Sequence, residues 1–108
     1  MKSDPIRGKT ISWTFEDGPM KGKTFEHTFG ADGRVSWRCS DDSQKGASKY
    51  ESVPVNDVVH AVSYLSPESG FTLTTILDFG TGRMVSFASN AEQLFLQRGR
   101  FEAVRQAA

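Results

Sequence analysis

No disulfide can form within this chain, because it holds a single cysteine, Cys39. A lone cysteine fits a reducing compartment, and its ordinary fate is an inert, half-buried position on a strand. Net charge is missing too, since 13 basic side chains balance 13 acidic ones. That removes the electrostatic footprint of a nucleic-acid binder or of a protein drawn to anionic membranes. No run approaches the roughly 20 apolar residues of a transmembrane helix. The opening stretch, Met1 to Lys9, is polar and has no apolar core of signal-peptide length. A cytoplasmic protein is the expectation. Helix-length apolar periodicity is absent throughout.

Several chemistries are excluded by missing motifs. There is no Cys-x-x-Cys and no His-Glu-x-x-His, so the usual zinc spacings fail. The chain has only two histidines, His27 and His60. No metal and no cofactor is expected. Neither a Gly-x-Gly-x-x-Gly nor a Gly-Lys-Ser/Thr phosphate loop occurs. No Gly-x-Ser-x-Gly elbow organises a serine nucleophile.

What the chain does contain is a rhythm of turns. Turn residues recur at Asp17-Gly18-Pro19, Asp32-Gly33, Ser66 to Gly70 and Gly80-Thr81-Gly82. Between them lie short runs rich in aromatic residues, Thr and Val. This spacing predicts consecutive antiparallel strands closing on one core, a small barrel or sandwich. The predicted strands are Thr10–Glu16, Lys23–Phe29, Arg34–Cys39, Ser48–Val53, Val58–Leu65, Phe71–Phe79, Arg83–Ala88 and Leu94–Gln97. Residues 1–8 read as a lead-in, partly disordered, before a single domain over 9–108. Ser40 to Ala47 reads as the longest flexible loop and the rim of a barrel mouth. Phe101 to Ala108 reads as a short helix or a trailing segment. In the third strand Val35, Trp37 and Cys39 alternate with Arg34, Ser36 and Arg38, and alternation alone leaves open which face is inside.

The stretch Gly8-Lys9-Thr10-Ile11-Ser12-Trp13-Thr14-Phe15-Glu16-Asp17-Gly18 resembles the opening strand of the MoaF family and of the related phenolic acid decarboxylases. The likeness continues through Gly33 to Arg38, resumes at Asn56 to Tyr64, and reaches Leu77-Asp78-Phe79. It implies a lipocalin-like antiparallel barrel, commonly associated as a homodimer. The decarboxylases set two tyrosines of the first strand, an arginine of the third and a glutamate before the fifth around their substrate. Here Trp13 and Phe15 stand at the tyrosine positions, Arg38 at the arginine, and Asp57 near the glutamate. Trp and Phe supply no phenolic hydroxyl, and Asp is one methylene shorter than Glu. Decarboxylation of para-hydroxycinnamates is therefore not expected.

These residues give a fold class and two function classes. The fold expected is all-β, a single lipocalin-like barrel of about eight strands. Its first functional reading is binding of a small aromatic or amphipathic ligand inside the barrel. Trp13, Phe15 and Tyr50, with Trp37, would form a flat aromatic wall. Arg38 would grip an anionic or oxygen-rich group through its planar fork, although a solvated arginine paired with a nearby carboxylate explains it as well. His27 and His60 would serve as proton-transfer groups, although each is more often a core-edge histidine with one satisfied nitrogen. The rival class is a cofactor-independent lyase, isomerase or cyclase, with Arg38, Asp57 and a histidine as acid–base groups in the same pocket. A third is an interaction module whose barrel is filled by side chains.

Overall fold

The computed structural model describes residues 4–106. Eight strands run in chain order: β1 Lys9–Phe15, β2 Thr24–Phe29, β3 Arg34–Cys39, β4 Lys45–Pro54, β5 Val59–Leu65, β6 Thr72–Asp78, β7 Arg83–Ser89 and β8 Leu94–Gln106. Each pairs antiparallel with the next, and β8 pairs back onto β1, so the sheet closes into a barrel. Closure leaves no free strand edge. Period-2 alternation sets the inside. Ile11, Trp13 and Phe15 of β1 face Phe25, His27 and Phe29 of β2, and Val35, Trp37 and Cys39 of β3 complete that wall. The face left open by the sequence is thus decided: Arg34, Ser36 and Arg38 point outward.

Two strands are longer than their sequence signals. β8 runs 13 residues where four were expected, and residues 101–106 of the stretch Phe101 to Ala108, read as a short helix or a trailing segment, are its second half. Residues 94–100 pair with β7 and residues 99–106 with β1, so one strand spans the seam. Tertiary pairing overrides the weak helix preference of Ala, Glu, Arg and Gln in so short a run. Ala107 and Ala108 lie outside the described residues. The seam is tight at Gly99, where an added Cβ would run into the backbone carbonyl of Thr14. β4 likewise starts at Lys45 rather than Ser48, pairing first with β3 and then, from Tyr50 on, with β5. The flexible loop expected from Ser40 to Ala47 shrinks to residues 40–44.

The described part of the lead-in packs against the barrel. Ile6 is fully buried and belongs to the core. The Asp4 carboxylate accepts the Ile6 and Arg7 N–H groups at 2.8 and 3.1 Å. Arg7 lies over the Tyr50 ring, 5.4 Å from its centroid, and donates to the Ala31 carbonyl at 3.0 Å. Residues 4–7 therefore cross the barrel end that carries the β2–β3 and β4–β5 turns. The opposite end, formed by loops 16–23, 40–44, 66–71 and 90–93, has no such plug. Among the described residues, no helix is long and apolar enough to cross a membrane.

Candidate functional site

A cavity of about 550 Å³ opens at the unplugged end. Trp13, Phe15, Phe25, Trp37 and Tyr64 form its aromatic wall. Leu73, Ala88 and Phe95 complete an apolar body, and Met20, Phe71 and Glu68 sit towards the mouth. An aromatic shaft with few polar groups is the usual make-up of a small-molecule site.

Each wall residue is placed by a local cause. In the strand pairing Trp13 sits opposite Phe25 and, one inward position further along β2, His27 sits opposite Trp37, so rings of three strands occupy successive rungs of the wall. The Trp37 indole packs on Gly46 of β4. A Cβ there would sit 2.5 Å from Trp37 Cζ2 and 2.8 Å from a Glu68 carboxylate oxygen, so only glycine leaves this slot open. The β1–β2 loop is tied down at the mouth. Asp17 accepts the Arg98 backbone N–H at 2.6 Å and its Nε at 2.9 Å. The Met20 N–H donates to Gln97 Oε1 at 3.2 Å.

The deep polar group is a histidine–tyrosine pair. His27 Nε2 lies 2.6 Å from the Tyr64 hydroxyl. The imidazole stacks on Trp13 and is flanked by Phe29 and Trp37. Desolvation dominates its titration and pushes its pKa down to about 3, against a weaker opposing pull from the Phe25 backbone carbonyl. Burial likewise pushes the Tyr64 phenol upward. Both are neutral across the physiological range. His27 Nδ1 is the buried side-chain polar atom without a hydrogen-bond partner among the described residues. The Phe25 carbonyl thus favours a proton on the ring without forming a well-made bond to it.

The predicted site residues divide among four places. Trp13, Phe15 and His27 line the cavity. Tyr50 is buried at the plugged end, donating its hydroxyl to the Gly30 carbonyl at 2.8 Å. His60 and Asp57 border a separate depression at that end, with Asp4, Asn56 and Phe79. There His60 Nε2 is 3.7 Å from Asp4 Oδ1. Arg38 is on the outer wall, its side chain 70% exposed and 3.7 Å from Asp42. The expectation that Arg38 would reach an interior ligand is corrected by strand parity, since Trp37 and Cys39 take the inward positions. Arg38, Asp57 and a histidine are not brought together. Among the described residues, no group of three or more His, Cys, Asp or Glu is placed to hold a metal.

Tyr64 and Gln97 escaped the sequence reading as site residues. Tyr64 shares the inward face of β5 with His60, and that alternation was the available signal. Gln97 is only 2% exposed, but in sequence it is one polar residue in a strand that reads as ending there. Nothing local marks it.

Comparison with known proteins agrees with this architecture. The family model described as the MoaF N-terminal domain matches residues 1–93. The crystal structure of a protein from Burkholderia vietnamiensis, provisionally named a beta-lactamase, superposes with a TM-score of 0.77 at 21% identity, over 96% of this chain and 100% of that one. At that identity the likeness speaks for the fold alone. No curated protein matches the chain.

Proposed function

This chain belongs to the family of the MoaF N-terminal domain, and on that premise we propose that its barrel is a receptor for a small aromatic or amphipathic molecule. One observation carries the reading: a closed barrel, plugged at one end by residues 4–7, keeps a 550 Å³ aromatic shaft open at the other. A barrel serving only as an interaction module would fill that volume with its own side chains. Apolar contact with the rings supplies the driving force, roughly 25 cal/mol for each Å² removed from water.

The rival reading, a cofactor-independent lyase, isomerase or cyclase, needs Arg38, Asp57 and a histidine around one substrate. Arg38 stands on the outer wall, Asp57 and His60 border the depression at the plugged end, and His27 lies in the shaft, so Arg38 shares no pocket with the other groups. The histidine that does face the shaft, His27, is held neutral far below the range useful for proton transfer at pH 7. No observation favours that chemistry. The homodimer implied by the resemblance and a cytoplasmic setting, which the single buried Cys39 suits, belong to the same proposal.

The chain's only two tryptophans, Trp13 and Trp37, both line the shaft, so intrinsic fluorescence reports on it directly. Titration with naphthalene-sized aromatic compounds should quench or shift that emission saturably, with one site by calorimetry. Unchanged emission and no heat across such compounds would remove the receptor reading.

A further inference from the structure

The shaft's hydrogen-bonding pattern is more specific than its shape. Its deep end has a defined polarity. The 2.6 Å contact between His27 Nε2 and the Tyr64 hydroxyl is shorter than N–H···O bonds run and suits an O–H donor, which leaves the ring proton on Nδ1, the nitrogen not otherwise engaged. Nε2 then carries a lone pair and accepts from the Tyr64 hydroxyl 2.6 Å away. That O–H is consumed, and the Tyr64 oxygen keeps its remaining lone-pair capacity. The floor is therefore an acceptor.

Gln97 supplies the opposite character. The Met20 N–H can only meet an oxygen, so the contact at 3.2 Å fixes Oε1 and leaves the amide NH₂ as Gln97's contribution to the lining. Gly18 packs against this side chain so closely that a Cβ would stand 2.7 Å from Gln97 Cγ, which holds it in place. Charge in the lining is confined to Asp42, Lys45 and Glu68 at the mouth. A carboxylate entering the shaft would lose its hydration and find no buried cation, and its oxygens would meet the Tyr64 lone pairs.

We propose that the shaft selects a neutral, flat aromatic or heteroaromatic molecule that presents an N–H or O–H donor to the Tyr64 oxygen, offers an acceptor to the Gln97 amide, and carries no carboxylate. This rests on the receptor reading above. His27 is a positioning residue here, since it acts through the orientation it imposes on the Tyr64 hydroxyl.

The test uses three naphthalenes of similar size on the full chain at neutral pH, by calorimetry. 2-Naphthol carries a donor, 2-methoxynaphthalene carries an acceptor only, and 2-naphthoate is an anion. 2-Naphthol should bind tighter than either of the others by about fivefold or more, the worth of one neutral hydrogen bond. In Tyr64→Phe, the ratio of 2-naphthol to 2-methoxynaphthalene affinity should fall towards one. If that variant does not fold, the wild-type ranking decides alone. Equal affinities for all three, tighter binding of 2-naphthoate, or a preference that persists in Tyr64→Phe would overturn the inference and leave the receptor standing. No binding by any of the three would overturn both.

Discussion

The Trp13 indole lies nearly flat on the His27 imidazole, with ring centroids 3.7 Å apart and planes 24° from parallel. Across the barrel wall His27 also meets Trp37 and reaches Tyr64. A titratable ring is thus enclosed on its faces by apolar surface and tied at one nitrogen. Such a ring stays neutral because protonation would place a charge where water cannot follow. The same stack that shapes the shaft therefore sets the protonation state of its polar end.

This gives a stability profile with a definite sign. The folded-state pKa of His27 is lowered from 6.5 to about 3, so the unfolded chain takes up the proton first. The stabilising contribution is complete above pH 6.5 and is lost as pH falls towards 3, by up to about 1.4 kcal/mol per unit. Three carboxylates with lowered values act further down: Asp4, where desolvation pulls upward but the Ile6 and Arg7 N–H groups outweigh it, Asp17, hydrogen-bonded by the Arg98 backbone, and Asp41, hydrogen-bonded by Lys23. Their loss begins only near the ordinary carboxylate value. Urea unfolding of wild type and His27→Gln between about pH 4.5 and 7 should show a steeper decline for wild type. Parallel profiles would show that His27 takes up a proton in the folded state as easily as in the unfolded one.

The barrel itself was legible because alternation and turn chemistry are local. Asp32-Gly33 announced a hairpin, and the turn is there, closed by Gly30 N–H to the Arg34 carbonyl at 2.7 Å. Strand three was read residue for residue. What stayed hidden depends on partners far away in sequence. The second half of β8 is a strand only because β1 is beside it, and Ile6 is core only because the barrel end needs covering. Arg38 was misplaced for a related reason. A resemblance carries a residue's position along a strand, but Arg38 lies outward here because Trp37 and Cys39 hold the inward side. Trp13 and Phe15 face inward because aromatic residues alternating on a first strand leave little choice of face.

Two glycines should resist substitution for different reasons. At Gly99 a Cβ would meet the Thr14 carbonyl and the Phe15 Cα, both backbone. Gly99→Ala should cost about 3 kcal/mol or more by forcing β8 off β1, or prevent folding. At Gly46 the obstructing atoms belong to the Trp37 and Glu68 side chains, which can shift. Gly46→Ala should cost about 1–2 kcal/mol and change the tryptophan emission of the folded protein. Chemical denaturation with fluorescence reads both. A fully stable Gly99→Ala would mean that the seam has slack the packing does not show.

Arg38→Ala should change stability by less than about 0.5 kcal/mol. Its partner Asp42 is itself 79% exposed, and an exposed pair of this kind adds little. Binding of any of the naphthalenes should be unchanged. A loss of affinity beyond about threefold, roughly 0.65 kcal/mol, would bring Arg38 back into the site and require β3 to present its other face.

The last prediction concerns the plug. Ile6 is fully buried, and its backbone is held by the Asp4 carboxylate. Ile6→Ala removes three methyl or methylene carbons from a place that backbone turns cannot easily fill, and should cost about 2–4 kcal/mol. Asp4→Ala removes the cap while keeping the apolar side chain, and should cost about 1 kcal/mol, the scale of one or two backbone hydrogen bonds to a carboxylate on the surface. If residues 4–7 seal the barrel, Ile6→Ala should also speed hydrogen exchange at the β2–β3 and β4–β5 turns more than at the loops of the open mouth. Uniform acceleration across the barrel would mean that Ile6 contributes only to global stability. An unchanged protein would mean that these residues rest on the barrel end without closing it.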